Sequence, residues 1–268
     1  MKKRFPHTLL QSVLLFAIGC IFAIPLLFIS DFFHQSATNN EVLILGLVIA
    51  MCASAVLIAL IINKRNGLPV AFNGRLNINQ GLILLWSTII SFQLINSPLI
   101  NLITNSFSSN QPNGVHQGIV YFIGAILLGP ILEELVFRGT ILSGMLDNYS
   151  PRKAILLSAI IFGLVHGSPI QIVPAFFWGL LFGYTFYKTR SIILVIFLHI
   201  TVNFTGSLGN WMHPAHQPYT FLSAYGQYSW LVYGIALIGL TIGCYLLFKR
   251  QIFVKYLAEY LPAANNMM

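Results

Sequence analysis

Residues 118–145 read GIVYFIGAILLGPILEELVFRGTILSGM, an apolar run that nevertheless carries Glu133, Glu134 and Arg138. A helix that spans a bilayer needs about 20 predominantly apolar residues, and this run supplies them. Placing one ionisable side chain near the bilayer centre costs about 2.5–3.5 kcal/mol on insertion scales, so three together need partners and a purpose. The run therefore points both to a membrane helix bundle and to the place where function resides.

Composition agrees with that reading across the rest of the chain. The 14 Lys and Arg with 6 Asp and Glu make 7% of 268 residues, 57% are hydrophobic, and mean hydropathy is +0.80. Soluble proteins carry about 25% charged residues, so this chain has too little polar side chain to coat a water-soluble globule. Apolar content excludes a disordered chain, and charge poverty excludes an ordinary cytosolic enzyme. Cys20, Cys52 and Cys244 all fall in apolar runs without a CxxC, so they read as small buried residues rather than a disulfide or zinc framework. The net charge of +8 is scattered between apolar runs, without the basic face or aromatic motif of a nucleic-acid binder.

Working outward, hydropathy predicts eight spans: Thr8 to Ser30, Val42 to Ile62, Gly81 to Thr104, Gly118 to Met145, Ala154 to Gly167, Ile170 to Tyr187, Ser191 to Leu208, and Ser229 to Phe248. The fifth is short and reads with the sixth as a tight hairpin. The first follows Lys2, Lys3 and Arg4 but is longer than a signal-peptide core, so it is expected to stay uncleaved. Lys2, Lys3, Arg4, Lys64, Arg65, Arg75, Arg152, Lys153, Lys188, Arg190, Lys249, Arg250 and Lys255 then share one side, and the opposite loops hold no Lys or Arg. The positive-inside rule makes both termini cytoplasmic. The expected fold is all-α, a single membrane domain over residues 1–268, multi-pass in a cell membrane with the lipid bilayer as its surroundings.

Within the fourth span, Glu134 and Arg138 are i and i+4 in the favourable acid-before-base order, which predicts an intrahelical salt bridge. Glu133 projects about 100° away and is left without an intrahelical cation, as a general base would be. The fifth span ends in Phe162-Gly163-Leu164-Val165-His166, and the seventh carries His199 and Asn203, again i and i+4. At 1.5 Å per residue, Glu133, His166 and His199 reach a similar depth, about 14–21 Å from the cytoplasmic markers, so one polar cavity is expected to gather them with Asn203.

These groups suit two related hydrolytic chemistries. In one, Glu133 assisted by His166 activates water while His199 and Asn203 stabilise an oxyanion, and no cofactor is required. In the other, Glu133, His166 and His199 bind Zn²⁺ with an open position for water. Spacing alone leaves both open, because the chain has no HExxH. A transporter or immunity protein that relays protons through the same Glu and His groups is the rival outside hydrolysis, although no second polar cluster pairs with this one in the first three spans.

The ordered set Glu133-Glu134-xxx-Arg138, Phe162-xxx-His166 and His199-xxx-Asn203 resembles the CPBP family of CAAX proteases and bacteriocin-processing enzymes, also called the Abi family, with a core at about residues 118–208. The resemblance implies an intramembrane endopeptidase. It also implies that Glu133 and His166 activate water, that His199 and Asn203 form the oxyanion site, and that Glu134 and Arg138 support them. A peptide or protein at the membrane is the implied substrate; leader peptides, bacteriocin precursors and peptide pheromones suit a prokaryotic plasma-membrane member. Gly179-xxx-Gly183 and Gly239-xxx-Gly243 offer small-residue faces for helix packing or oligomerisation. Pro130 is expected to kink the fourth helix and free backbone carbonyls beside the cavity. His213 and His216 read as solvated loop histidines, and Trp211, Tyr228 and Trp230 as interfacial anchors.

Overall fold

The computed structural model describes residues 2–32, 37–68 and 122–212, with isolated positions between 228 and 241. The third predicted span, most of the eighth, the histidines at 213 and 216 and the second small-residue face lie outside the described residues. Within them the structure is helical throughout and contains no strand. The helices are α1 (Leu9–Phe32), α2 (Ala37–Arg65), α3, α4 (Pro151–Leu164), α5 (Pro169–Thr189) and α6 (Ile192–Met212). The rod α3 winds without interruption through π-helical Phe122–Leu128, α-helical Gly129–Glu134, π-helical Leu135–Leu142 and α-helical Ser143–Met145. By length and composition one described stretch, Leu45–Arg65, can cross a membrane; Leu9–Pro25 and Ile192–Thr205 are shorter apolar stretches.

The π-helical winding appears where the sequence predicts a kink. Proline has no N–H and its ring collides with the carbonyl four residues back, so a regular α-helix cannot run through position 130 undisturbed. Here the chain changes register, with i→i+5 winding up to Leu128 and an α-helical turn from Gly129. Such π segments are rare and recur at functional sites; these two flank Glu133 and Glu134.

One sequence expectation is corrected at the next hairpin. Hydropathy predicts the fifth span as helical to Gly167, but α4 ends at Leu164, and His166 lies in the turn that follows. Gly167 adopts φ +72°, a conformation that favours glycine, and Pro169 opens α5, so the short Gly-Ser-Pro connector reverses the chain. The fifth and sixth segments accordingly form the expected tight hairpin. Its helices pack closely: a Cβ at Gly179 would stand 2.9 Å from the Ala159 Cα, and one at Gly163 2.9 Å from the Ile172 carbonyl oxygen. The face Gly179-xxx-Gly183 thus carries an intramolecular contact with α4.

Packing centres on α3, which α2, α4, α5 and α6 all touch. Val136, Phe137, Ile141, Leu142 and Met145 are buried against Phe162, Phe182, Val195 and Leu198. The outward faces are equally apolar. Leu10, Leu14 and Ile21 on α1, Leu57 and Ile61 on α2, Leu156, Ile160 and Leu164 on α4, and Ile193, Phe197 and Phe204 on α6 are all exposed. A helix in water turns a charged face outward; these present apolar stripes at helical spacing, as helices in contact with lipid do.

One end of the bundle is polar and cationic. The segment before α1 is pinned there: Arg4 donates from Nη2 and Nε to the two Asp147 carboxylate oxygens at 2.6 and 2.7 Å, and from its backbone N–H at 3.0 Å. Asn63 accepts from the Phe5 N–H at 2.6 Å and donates to the Phe5 carbonyl at 2.7 Å, while Lys3 reaches Asn148. Gly144 permits this approach, because a Cβ there would fall 2.0 Å from the Pro6 carbonyl oxygen. Lys2, Lys3 and Arg4 are thereby brought to the end of the bundle where α2 closes with Lys64 and Arg65 and where Arg190 joins α5 to α6.

Burial acts to raise the Asp147 carboxyl, but hydrogen bonds from the Arg4 side chain and backbone, with the charges of Arg4 and Arg190, outweigh it and hold the group below the usual carboxylate range. A carboxyl depressed on folding contributes stability that is present above its unfolded pKa of about 3.9 and lost as pH falls through the lower folded value. Thermal unfolding in detergent should therefore show a lower Tm for Asp147→Asn at pH 6, by about 2–4 °C for ~1 kcal/mol, with the difference closing as pH falls below about 3.9 and through the lower folded value. An unchanged Tm at pH 6 would show that the clamp contributes nothing to stability.

Candidate active site

The two consecutive glutamates of α3 meet different surroundings. Glu134 is fully buried, and its Oε1 accepts hydrogen bonds from Arg138 Nη1 and His199 Nδ1, each at 2.8 Å. The side chain of Glu133 is 27% exposed, and its Oε2 lies 3.8 Å from His199 Nε2, beyond hydrogen-bond range. Successive helical residues point about 100° apart, so one carboxylate faces the packed core while the other opens to the side. Gly129 borders that opening: a Cβ there would stand 3.8 Å from Glu133 Oε1.

Arg138 is 1% exposed, and α4 and α5 both help to hold it. Its Nη2 donates to the Gly179 carbonyl of α5 at 3.3 Å, and its guanidinium carbon stands 4.5 Å from the Phe162 ring centroid and 5.5 Å from that of Phe182. Burying two ions loses several kcal/mol of hydration apiece, which their attraction offsets only with good geometry and further hydrogen bonds. A planar guanidinium between aromatic rings adds cation–π attraction. Two polar atoms of the pair, Glu134 Oε2 and Arg138 Nε, have no hydrogen-bond partner among the described residues.

His199 enters from α6 between the same rings, 6.0 Å from Phe162 and 5.1 Å from Phe182 by centroid. One helical turn further, Asn203 Nδ2 donates to the Ala125 carbonyl at 2.9 Å. That bond has a local cause. In the i→i+5 register of Phe122–Leu128, the Ala125 carbonyl would be paired by the N–H of residue 130, which proline lacks, so a half-buried acceptor needs a partner from elsewhere. One amide proton of Asn203 is thus committed to the scaffold, and the other makes no hydrogen bond among the described residues.

His166 stands apart from this group. Its Nδ1 lies 2.8 Å from the Phe162 carbonyl, closing the α4 turn, and its ring packs edge-on against Phe162 at 4.9 Å. Phe162 contacts both histidine rings, and among the described residues no hydrogen bond or ion pair joins His166 to Glu133. The structure therefore brings together Glu133, Glu134, Arg138 and His199, attaches Asn203 beside them, and leaves His166 at the hairpin turn. No group of three His, Cys, Asp or Glu side chains among the described residues is close enough to hold a metal ion. As placed, Glu133, His166 and His199 do not fit a zinc site.

Phe162, Phe182 and the Gly179 carbonyl, which complete the cage around Arg138, were not singled out as site residues from the sequence. Phe162 appeared only as the start of the His166 motif and Gly179 only as a packing glycine. No spacing rule joins them to Arg138, because each comes from another helix.

Comparison with known proteins bears on this arrangement. Residues 115–205 match the family of type II CAAX prenyl endopeptidase Rce1-like proteins, a range that includes all six candidate residues. The chain is also 26% identical over 222 residues to the protein named "Putative membrane peptidase YdiL" of Bacillus subtilis, covering 76% of this chain and 87% of that one. No solved structure matches. Both findings agree with the resemblance to the CPBP family that the Glu133-Glu134-xxx-Arg138, His166 and His199-xxx-Asn203 motifs carry.

The cage makes a stability prediction independent of activity. Arg138→Met leaves Glu134 buried without its cation and should destabilise the fold by about 3–5 kcal/mol, whereas Arg138→Met with Glu134→Gln removes both charges and should recover most of the loss. Denaturation of the purified variants in detergent distinguishes this from an additive pair, in which the double variant would be the least stable.

Proposed function

We propose that this chain is an intramembrane endopeptidase of the CAAX-protease type, multi-pass in a prokaryotic plasma membrane with both termini cytoplasmic. Exposed apolar helix faces and the gathering of cations at one end of the bundle support the placement in a bilayer. The supporting observation for the chemistry is the division of labour between adjacent carboxylates. Glu134 is committed to Arg138 and His199, while Glu133 remains open beside them.

In the proposed reaction the Glu133 carboxylate takes a proton from water as the water oxygen bonds to the scissile carbonyl carbon, and the carbonyl π pair moves onto its oxygen. Collapse of that tetrahedral species breaks the C–N bond, and Glu133 returns the proton to the departing amine. The free amide proton of Asn203 is the proposed donor to the oxyanion. His166, held at the hairpin turn by the Phe162 carbonyl, is proposed to assist Glu133 in the substrate-bound state. The proposed substrates are membrane-associated peptides such as leader, bacteriocin or pheromone precursors.

Reconstituted protein assayed with a quenched peptide library should cleave, and Glu133→Gln should lower kcat by at least about 10²-fold, in the range typical of a lost general base. The expected cleavage is unaffected by chelators; abolition by a chelator, with rescue by Zn²⁺, would replace this mechanism with the metal-dependent one. Proton-gradient-driven solute uptake by protein that cleaves nothing would favour the transporter instead.

A further inference from the structure

We infer that the hairpin of α4 and α5 carries a binding site for one anionic phospholipid, its phosphate held by Lys153 and Lys188 and its acyl chains lying along the apolar face below them. The site presupposes the bilayer placement proposed above and is independent of the catalytic groups. The register of the hairpin brings the two lysines to one level. Ile155 meets Gly183 and Ala159 meets Gly179, contacts in which a Cβ on the glycine would stand 3.2 and 2.9 Å from the neighbouring carbon. Each step along α4 therefore matches a step back along α5, so Lys153 lies level with about Thr185, within one helical turn of Lys188.

The same geometry puts both lysines at the head of one apolar face. On α4, Lys153, Leu156, Ile160 and Leu164 follow at i, i+3, i+7 and i+11, a single stripe, and all four are exposed. On α5, Lys188, Tyr184 and Phe177 share a stripe at i, i−4 and i−11, with Phe177 exposed. At about 100° per residue, each stripe lies about 100–140° around its helix from the glycine contact. Because the helices are antiparallel, the two rotations turn to the same side of the hairpin. From Lys153 to Leu164, and from Lys188 to Phe177, the rise is about 17 Å, close to half of the ~30 Å hydrocarbon core. A phospholipid in one leaflet has that length, with its charge at one end.

The charges at that end are set for an anion. Lys153 Nζ stands 4.8 Å from the Tyr149 ring centroid, and Lys188 Nζ stands 5.7 and 5.6 Å from those of Tyr184 and Tyr187. Arg190 adds a guanidinium 5.7 Å from the Tyr187 centroid. Rings so placed attract and orient a cation without neutralising it. The described carboxylate nearest this end, Asp147, is engaged by Arg4, and among the described residues neither lysine forms an ion pair. An acidic peptide would answer the charge and leave the apolar face uncovered, whereas an anionic lipid answers both.

The test titrates full-length, delipidated protein in detergent with phosphatidylglycerol or phosphatidylcholine and counts bound lipid by native mass spectrometry. Wild type should retain one phosphatidylglycerol in preference to phosphatidylcholine, and glycerol 3-phosphate, which has no acyl chains, should not compete. Lys153→Gln/Lys188→Gln should weaken phosphatidylglycerol binding about 25-fold, at about fivefold for each basic side chain near an anionic surface. Lys64→Gln/Arg65→Gln, which removes two cations from the end of α2, should change it by less than about twofold, because that pair is outside the site. Ile160→Gln should weaken binding with both lysines in place. All variants should keep the wild-type Tm without lipid, since the altered side chains lie on the outer surface. Equal losses in the two double variants would show a diffuse attraction to the cationic end and overturn the site. Equal retention of phosphatidylcholine, or competition by glycerol 3-phosphate or a soluble acidic peptide, would overturn it too. Wild type that stays in solution without detergent and does not float with phosphatidylcholine vesicles refutes the bilayer placement instead.

Discussion

A carboxylate inside an apolar bundle must be neutralised where it sits, and the ion pair between Glu134 and Arg138 meets that requirement. Much of the arrangement around α3 follows from it. Arg138 is held by the carbonyl of α5 and by rings from α4 and α5, so those helices must approach α3 closely, while the glycines at 163 and 179 let α4 and α5 close on each other. Glu134 in turn holds His199 from α6. One buried pair thus organises three helices around a fourth, and leaves Glu133, its neighbour in sequence, beside the assembly without a cation of its own.

The same chain segment solves a second problem of unsatisfied polarity. Proline at 130 removes an N–H from a rod that already runs in π register, and Asn203 covers the Ala125 carbonyl exposed by that loss. The α6 pair His199 and Asn203 is therefore anchored to α3 at both positions, once through a carboxylate and once through a backbone oxygen. Anchoring of this kind holds polar groups in fixed orientation, and a site that stabilises developing charge benefits from groups that need not reorganise.

What could be read from the sequence was whatever depends on local periodicity. The i,i+4 spacing of Glu134 and Arg138 predicted their ion pair, and the short fifth segment predicted the hairpin with the sixth. The α-helical segments begin and end within a few residues of the hydropathy boundaries wherever the chain is described. Partners drawn from other helices were not legible. Nothing in the spacing of His199 says that its Nδ1 meets Glu134 and not Glu133, because that depends on how α6 is rotated against α3. At His166 hydropathy and punctuation conflict: the apolar run continues the helix, whereas Gly167-Ser168-Pro169 is a turn signal, and the turn prevails. The π winding also escaped hydropathy, which cannot separate i→i+4 from i→i+5 over so short a run.

The central claim is that the two adjacent glutamates have separate duties, one structural and one chemical. The measurement that tests it most directly is an experimental structure with a bound peptide analogue whose scissile carbonyl is replaced by a tetrahedral centre. The account predicts a hydroxyl of that centre within about 3 Å of Glu133, with Glu134 still engaged by Arg138 and His199. An analogue whose tetrahedral centre contacts Glu134, or one seated away from both carboxylates, would contradict it.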